Sequence, residues 1–539
     1  MEHHSENIKI LIHNVKEKIG RPVSSRVVAA TIESFGIRDV DTENDFGVAS
    51  IQELSLYVYR QLTTAREHKD ALNIKEKEML FKSPESISIS DYLRVKTKIF
   101  IQYYPLGIFH LLPILLQITS IVLFGYSLWT HVDFNHVQST AVVLGVIIGL
   151  VTTGGFVQVI GRQASFFWNY QDYQMTRKTI DYLLKMGTYF ILLILAIIFV
   201  FNLVLHLYPF KILFVTFIYA FLIGVLLLVI APLHTIYQRW MITVAVVGGT
   251  LITICLNQFT TFKIYFTHWI GILVAIVLAR AYVIYFFRKK IQINAEKSTL
   301  KLKDSVFIYQ NYQYFLYGVF IYIFIFTDRI LAWSTNSNDN EKLPFVVFFE
   351  KDYELGMDLA ILVFLLLAGV LEFSIASFTR LLDITQKITS FKDAKSFNKE
   401  LFKLYWQNLA WLFITSIIVF VFLYFIITAS WGYKGQFNEE LMSLSVQVCF
   451  IGGIGYMFLA WGMLNTLYLF TLGQPATPLK AVVYACIVNF ILGFILSRFV
   501  SFEYSVVGMT VGAIVFTGLT LKEIFNYFRN LDYYYYASY

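Results

Sequence analysis

Asp328, Arg329 and Glu372 are ionisable residues inside apolar runs. The run Phe307–Trp333 ends in Thr327-Asp328-Arg329 and a short apolar tail, and the run Met357–Thr379 carries Glu372 well inside it. Each run reaches the about 20 apolar residues that a helix needs to cross a bilayer. Ionisable groups at that depth are costly, and they ordinarily face a bundle interior or a water-filled path. There they can bind a proton or a cation, or hydrogen-bond the hydroxyls of a polar substrate. Each also has a plainer reading. Asp328 and Arg329 are adjacent, so they point about 100° apart on a helix, and Arg329 could snorkel to headgroups. Glu372, about two turns before Arg380, could make a salt bridge to a neighbouring helix. Asp358 opens the second run, where a carboxylate suits a helix N-terminus, and it reads as a cap.

Three further residues are candidates for a polar cavity. Arg280 lies about two turns before the cluster that starts at Arg288, where it could meet a diphosphate or an acidic sugar, or snorkel. Gln158 and Arg162 follow Thr152-Thr153-Gly154-Gly155, and the glycine pair permits close helix approach. His110, Gln117, His234, Asn257, His268 and Asn489 stand alone in apolar runs and read as helix–helix hydrogen bonds. Tyr309, Tyr312, Tyr314, Tyr317 and Tyr322 offer stacking surfaces for sugar rings or an interfacial belt. The segment THVDFNH, with His131, Asp133 and His136, is the one stretch that resembles a metal or catalytic site, and an ordinary solvated loop is the simpler reading. Cys255, Cys449 and Cys486 all lie in apolar runs, without metal-ligand spacing or a disulfide framework. No GxxxxGK[ST] run occurs, which argues against direct ATP drive. Neither a cofactor nor a metal is expected.

The elements that must position these residues are membrane helices. The 539 residues are 57% hydrophobic and 15% charged. A soluble domain is nearer half apolar and a quarter charged, so the chain reads as a polytopic membrane protein. Aromatics, at 18%, suit lipid-facing surfaces and interfacial belts. The net charge of +7 fits basic loops, and no Lys/Arg block interleaved with aromatics points to nucleic acid.

Residues 1–95 read as a cytoplasmic helical module with a linker. Ile8–Ile19, Arg26–Phe35 and Ile51–Leu62 are its expected helices, Asp39–Asp45 an acidic turn, and Ser50 with Glu53 a capping box. Lys75–Ser90 reads as linker and Asp91–Tyr104 as a surface-lying lead-in. A first transmembrane lobe follows over 96–287, a basic linker over 288–305, and a second lobe with an aromatic tail over 306–539. Helices are expected near 105–128, 138–161, 188–207, 209–234, 239–259, 263–287, 306–333, 356–380, 404–430, 443–471, 478–500 and 503–528. The fold class is therefore all-α, with about twelve transmembrane helices in two six-helix lobes behind a small soluble module. No cleavable signal peptide opens the chain. With the N-terminus inside, Arg162, Arg177, Lys178, Lys185, Arg239, the 288–303 cluster, Lys387–Lys403, Lys480, Lys522 and Arg529 all fall on the inner side, as the positive-inside rule asks. Both termini are then cytoplasmic. An even helix count around a cytoplasmic linker suggests an internal pseudo-two-fold.

The second half resembles the PelG-type exopolysaccharide transporters of the MOP flippase superfamily. Gly318–Trp333 (GVFIYIFIFTDRILAW) is similar to the family's helix ending in an aspartate, a basic residue and an aromatic. Tyr353–Thr379 (YELGMDLAILVFLLLAGVLEFSIASFT) resembles its next helix, Lys387–Trp411 its amphipathic connector, and Val506–Tyr539 its last helix and tail. The first half agrees in hydropathy alone. The resemblance implies two lobes around a central cavity. It also implies export of a polysaccharide or lipid-linked saccharide across the cytoplasmic membrane by alternating access, as in biofilm matrix production. A cytoplasmic glycosyltransferase or synthase is the implied partner besides the saccharide and the lipid bilayer. Two other readings stay open: a non-transporting subunit that scaffolds a synthase, and a membrane-embedded glycosyl- or acyltransferase using the Asp133 loop.

Overall fold

The computed structural model describes residues 2–19, 25–37, 39–64, 101, 105, 112–293, 304–335, 346–388, 394–429 and 441–529. The chain divides into two compact units, Met1–Lys98 and Ile99–Tyr539.

The first unit contains α1 (Glu2–Ile19), α2 (Ser25–Ser34), α3 (Asp39–Phe46) and α4 (Ile51–Thr64). Leu11 and Val15, Val28 and Ile32, and Leu54 and Val58 are pairs at i and i+4, each on one helical face. With Phe46 they form a small closed core, and each such side chain contributes about 1.5–3 kcal/mol of burial. Ser50 Oγ accepts from the Glu53 amide at 3.3 Å, so one half of the expected capping box is in place. The acidic turn expected over 39–45 is instead the short helix α3. Asp39 and Asp41 stand in its first turn, where carboxylates suit the exposed amides. Asp39 Oδ1 also accepts from the Ile51 amide at 2.7 Å, which ties α3 to the start of α4.

The second unit contains α5 (Leu112–Phe124), α6 (His136–Asn169), α7 (Tyr173–Leu205), α8 (Phe210–Thr235), α9 (Trp240–Phe259) and α10 (Ile264–Ile293). Its second half contains α11 (Asp304–Trp333), α12 (Lys351–Ile388), α13 (Ala394–Thr428), α14 (Ser443–Thr471), α15 (Ala476–Phe499), a 3₁₀ turn (Phe502–Tyr504) and α16 (Ser505–Arg529). Among the described residues, eleven helices are long and apolar enough to cross a membrane, and α5 is a shorter apolar one. The chain is a multi-pass membrane protein.

Several boundaries differ from the expected ones. Hydropathy marks only the apolar part of a helix, whereas caps decide where it begins. Asn135 and Gln138 form a reciprocal capping box at α6, so that helix starts at His136 and runs on past Arg162. Asp172 accepts from the Met175 amide at 2.9 Å, and α7 therefore starts at Tyr173 rather than near 188, carrying Arg177, Lys178 and Lys185. Helix α12 starts at Lys351. Asp358 thus lies in its third turn and is not the N-terminal cap; the acidic residues of the first turn are Asp352 and Glu354. The basic stretch from Arg288 begins as the last turns of α10. The first expected span, 105–128, ends at Phe124, where Gly125 turns with φ 75°. Lys75–Ser90, His110, residues 294–303 and the tail from 530 lie outside the described residues.

The internal repeat is visible in the packing. The first half pairs α6 with α8, α9 with α10, α8 with α10, α6 with α7 and α5 with α9. The second half pairs α12 with α14, α15 with α16, α14 with α16, α12 with α13 and α11 with α15. Numbered within each half, these are the same pairs: second with fourth, fifth with sixth, fourth with sixth, second with third, first with fifth. The turns at 170–172, 236–239 and 472–475 share one end of the bundle with the 293 and 304 helix ends. That end carries Arg177, Arg239, Arg288, Lys289 and Lys290, and it is called the basic end below.

The halves meet where α6 crosses α11. Gly154 and Gly318 lie near the middles of their helices. A Cβ on either would come within 2.5 Å of the other's carbonyl oxygen, and the Phe315 ring fills the space over Gly155. Only glycine lets the two backbones approach this closely. The expected role of the Gly154-Gly155 pair is thus realised. Gly318→Val is expected to lower the thermal unfolding midpoint in detergent by an amount corresponding to about 1–3 kcal/mol of overpacking. Gly161→Ala, whose added carbon meets nothing within 4 Å, serves as the neutral control.

Candidate functional site

The last turns of α11 meet the first turns of α12. Consecutive residues of one helix pair with consecutive residues of the other. The Tyr353 hydroxyl donates to Asp328 Oδ2 at 2.7 Å, and Arg329 donates to Glu354. Arg329 also reaches Asp358 Oδ1 at 3.3 Å. Asp328 is 0% exposed, Arg329 4% and Glu354 5%. Burial at this level excludes snorkelling of Arg329. An unpaired guanidinium here would be very costly, and Glu354 neutralises it. Three carboxylates surround one guanidinium, so the cluster is formally anionic when all are ionised. Asp328 Oδ1, Glu354 Oε2 and Asn489 Oδ1 are buried acceptors without a hydrogen-bond partner in the protein. Buried acceptors in that condition suit a proton or a small cation. Among the described residues no three His, Cys, Asp or Glu side chains converge as a metal site.

Asp358, unlike its neighbours, has a side chain that is 63% exposed. Asp358, Leu365 and Glu372 are spaced by seven and share one face of α12. Glu372 accepts from Arg239 of the first half at 2.6 Å, so this face looks toward the other half. Asp358 is therefore exposed on the same face as Glu372, about 21 Å along the helix from it.

The other candidates occupy separate places. Arg162 donates to the Gln310 carbonyl and to Asn311 Oδ1, each at 3.0 Å, and lies 4.0 Å over the Tyr314 ring. It is a contact between halves below the glycine crossing. Gln158 is half-buried one turn earlier on the same face. Arg280 pairs with Asp181 at 2.7 Å inside the first half, away from the cluster. Tyr314 and Tyr317 are buried against Phe470, whereas Tyr309 and Tyr312 are exposed. Isolated polar residues do tie helices together: Gln117 to Thr250, Asn257 to Tyr126, His268 to Tyr219, and Asn489 to the Phe324 carbonyl.

No protein-family model matches the sequence, and no curated protein does. Solved structures do. An inward-facing multidrug resistance MATE family transporter of the MOP superfamily aligns with a TM-score of 0.54 at 11% identity, over 80% of this chain and 98% of that one. The MATE transporter ClbM in complex with Rb+ aligns with a TM-score of 0.52 at 14% identity, over 82% and 98%. An outward-facing MATE family transporter aligns with a TM-score of 0.52 at 11% identity, over 81% and 97%.

The helical bundle has the MATE-transporter fold.

Within that MATE fold, hydropathy did not reveal Tyr353, Glu354, Arg239 or Asp181 as partners. Tyr353 and Glu354 lie before the apolar run that marks α12, and Arg239 and Asp181 lie among residues that read as loop. The THVDFNH stretch forms the turn between α5 and α6. His131 lies 3.7 Å from Asp133 and packs on Tyr126, while the His136 ring stacks on Phe348. Burial pushes the His131 imidazole below its ordinary value, against the upward pull of Asp133. His131 thus takes up a proton less readily in the fold than in the unfolded chain, where an imidazole does so near about 6.5. Its contribution to stability is present above that value and is lost as pH falls through it. The drop in thermal midpoint between about pH 7 and 5 should be smaller in His131→Gln than in the parent protein.

Arg329→Met in this MATE-fold bundle leaves Glu354 and Asp328 buried without a cation. It is expected to cost about 3–5 kcal/mol. Asp358→Asn, at an exposed carboxylate, should cost under about 1 kcal/mol. Denaturant or thermal unfolding of the two variants in one detergent checks the order.

Proposed function

We propose that this chain exports a polysaccharide or a lipid-linked saccharide across the cytoplasmic membrane by alternating access, with its basic end and N-terminal module in the cytoplasm. The carrying observation is the anionic cluster around Arg329, in which Asp328 and Glu354 are buried in the second half and Asp358 is exposed. Such a group can take up a proton or a monovalent cation from one side and release it to the other as the cleft changes access. Arg329 then moves its hydrogen bonds among the three carboxylates according to which of them is neutralised. The transporter fold supports this reading over an enzymatic one. That one structural neighbour was solved with Rb+ is in keeping with cation chemistry in this fold.

The saccharide comes from the PelG-like run Gly318–Trp333, whose Asp328-Arg329 pair is the centre of the cluster. A lobe-to-lobe motion, rather than a covalent step, performs the work. The deciding measurement is polysaccharide released by cells carrying Asp328→Asn or Glu354→Gln at normal membrane abundance. Export should fall at least about tenfold, as expected when a coupling step is lost. Undiminished export in both variants would remove the cluster from the mechanism.

A further inference from the structure

We infer that Arg239 and Glu372 are a latch that closes the cleft at the basic end and must part for the cleft to open there. This rests on the alternating-access reading above and adds the device that holds one of its states. The pair joins the residue before the first turn of α9 to the middle of α12, at 2.6 Å across the two halves. Helices α9 and α12 share no extended packing, so the ion pair spans a place where the halves otherwise touch little.

Both partners are held in position. Arg239 ends a tight turn in which Tyr237 takes the left-handed conformation, with φ 58°. Gln238 Oε1, next to Arg239, accepts from the Tyr282 hydroxyl at 2.8 Å and from Trp240 Nε1 at 3.0 Å, which anchors the turn to α9 and α10. Glu372 follows from the regular face of α12 that also carries Asp358. The side chains are 12% and 32% exposed, so solvent and salt partly reach the pair, mainly on the Glu372 side.

The rest of the junction makes this location mechanically meaningful. The glycine crossing of α6 and α11 lies near the middle of the bundle. At the opposite end, the segment 346–350 lies across the first half. The Tyr208 hydroxyl donates to the Val347 carbonyl at 3.0 Å and accepts from its amide at 3.2 Å, and Thr140 Oγ1 accepts from the Phe349 amide at 3.0 Å. The halves are thus fastened at both ends of a central crossing. The fastening at the basic end is an ion pair, and the one at the far end is made of neutral hydrogen bonds to a short segment. Rocking about the crossing lengthens one set as it compresses the other.

The test uses the full chain in lipid nanodiscs, with Cys255, Cys449 and Cys486 replaced and spin labels at Tyr237 and Thr379, both exposed at the basic end. Pulsed electron spectroscopy reads the ratio of long to short label distances. Arg239→Gln and Glu372→Gln should each raise that ratio roughly fivefold, the size expected for loss of one partly exposed ion pair. The charge swap R239E/E372R should return it toward the parent value, and raising salt should move the parent in the same direction as the single variants. An unchanged ratio in both single variants, or a swap no better than either, overturns the latch. None of these readouts involves the saccharide or the Asp328–Glu354 cluster, so undiminished export in the cluster variants with an intact latch response falls on the proposed coupling and leaves the latch standing.

Discussion

The close crossing at Gly154 and Gly318 is the constraint on which the arrangement of this protein depends. In a bilayer, lipid chains are as apolar as leucine, so apolar surface alone does not tell two helices to prefer each other over lipid. Close backbone approach and internal polar contacts do. The third helix of each half, α7 and α13, illustrates the point by contrast, since each leaves most of its apolar surface exposed. The crossing of α6 and α11 replaces side chains with backbone contact, and it sets where Arg162 meets Asn311 and where α12 faces α9.

Around that crossing the polar groups divide into two kinds. Some are closed on themselves. Arg280 with Asp181 and Gln117 with Thr250 satisfy groups that hydrocarbon cannot. Others are incompletely satisfied or exchangeable. The Asp328–Arg329–Glu354–Asp358 cluster has more carboxylates than cations and acceptors without partners, and its outermost member is exposed. The Arg239–Glu372 pair is reachable by solvent and bridges helices that share little else. Groups of the first kind set the fold. Groups of the second kind can change state more readily, and two of their carboxylates, Asp358 and Glu372, lie on one face of α12.

The two halves repeat the same pairing of helices while differing in chemistry. The second half buries its charge cluster where α11 meets α12. The polar residues of the first half that face neighbouring helices are mainly neutral: Gln117, Thr250, Asn257, Tyr219 and His268. The small N-terminal bundle has its own closed core and reads independently of the membrane helices.

Much of this was legible in the sequence for a simple reason. A bilayer demands long apolar helices, and that demand is written in hydropathy, so the helical class and most span centres could be read directly. Asp328, Arg329 and Glu372 stood out because charge in an apolar run is costly. Helix ends were less legible: caps such as Asp172, and the start of α12 at Lys351, lie in polar segments where hydropathy is silent. That silence turned Asp358 into an apparent cap and hid Tyr353 and Glu354. What only the tertiary structure decided was pairing. Arg239 lies 133 residues from Glu372, and Arg329 lies 25 from Glu354. A charge announces from the sequence that it needs a partner, but which partner it finds depends on how close two backbones come, and here glycine at the crossing sets that distance.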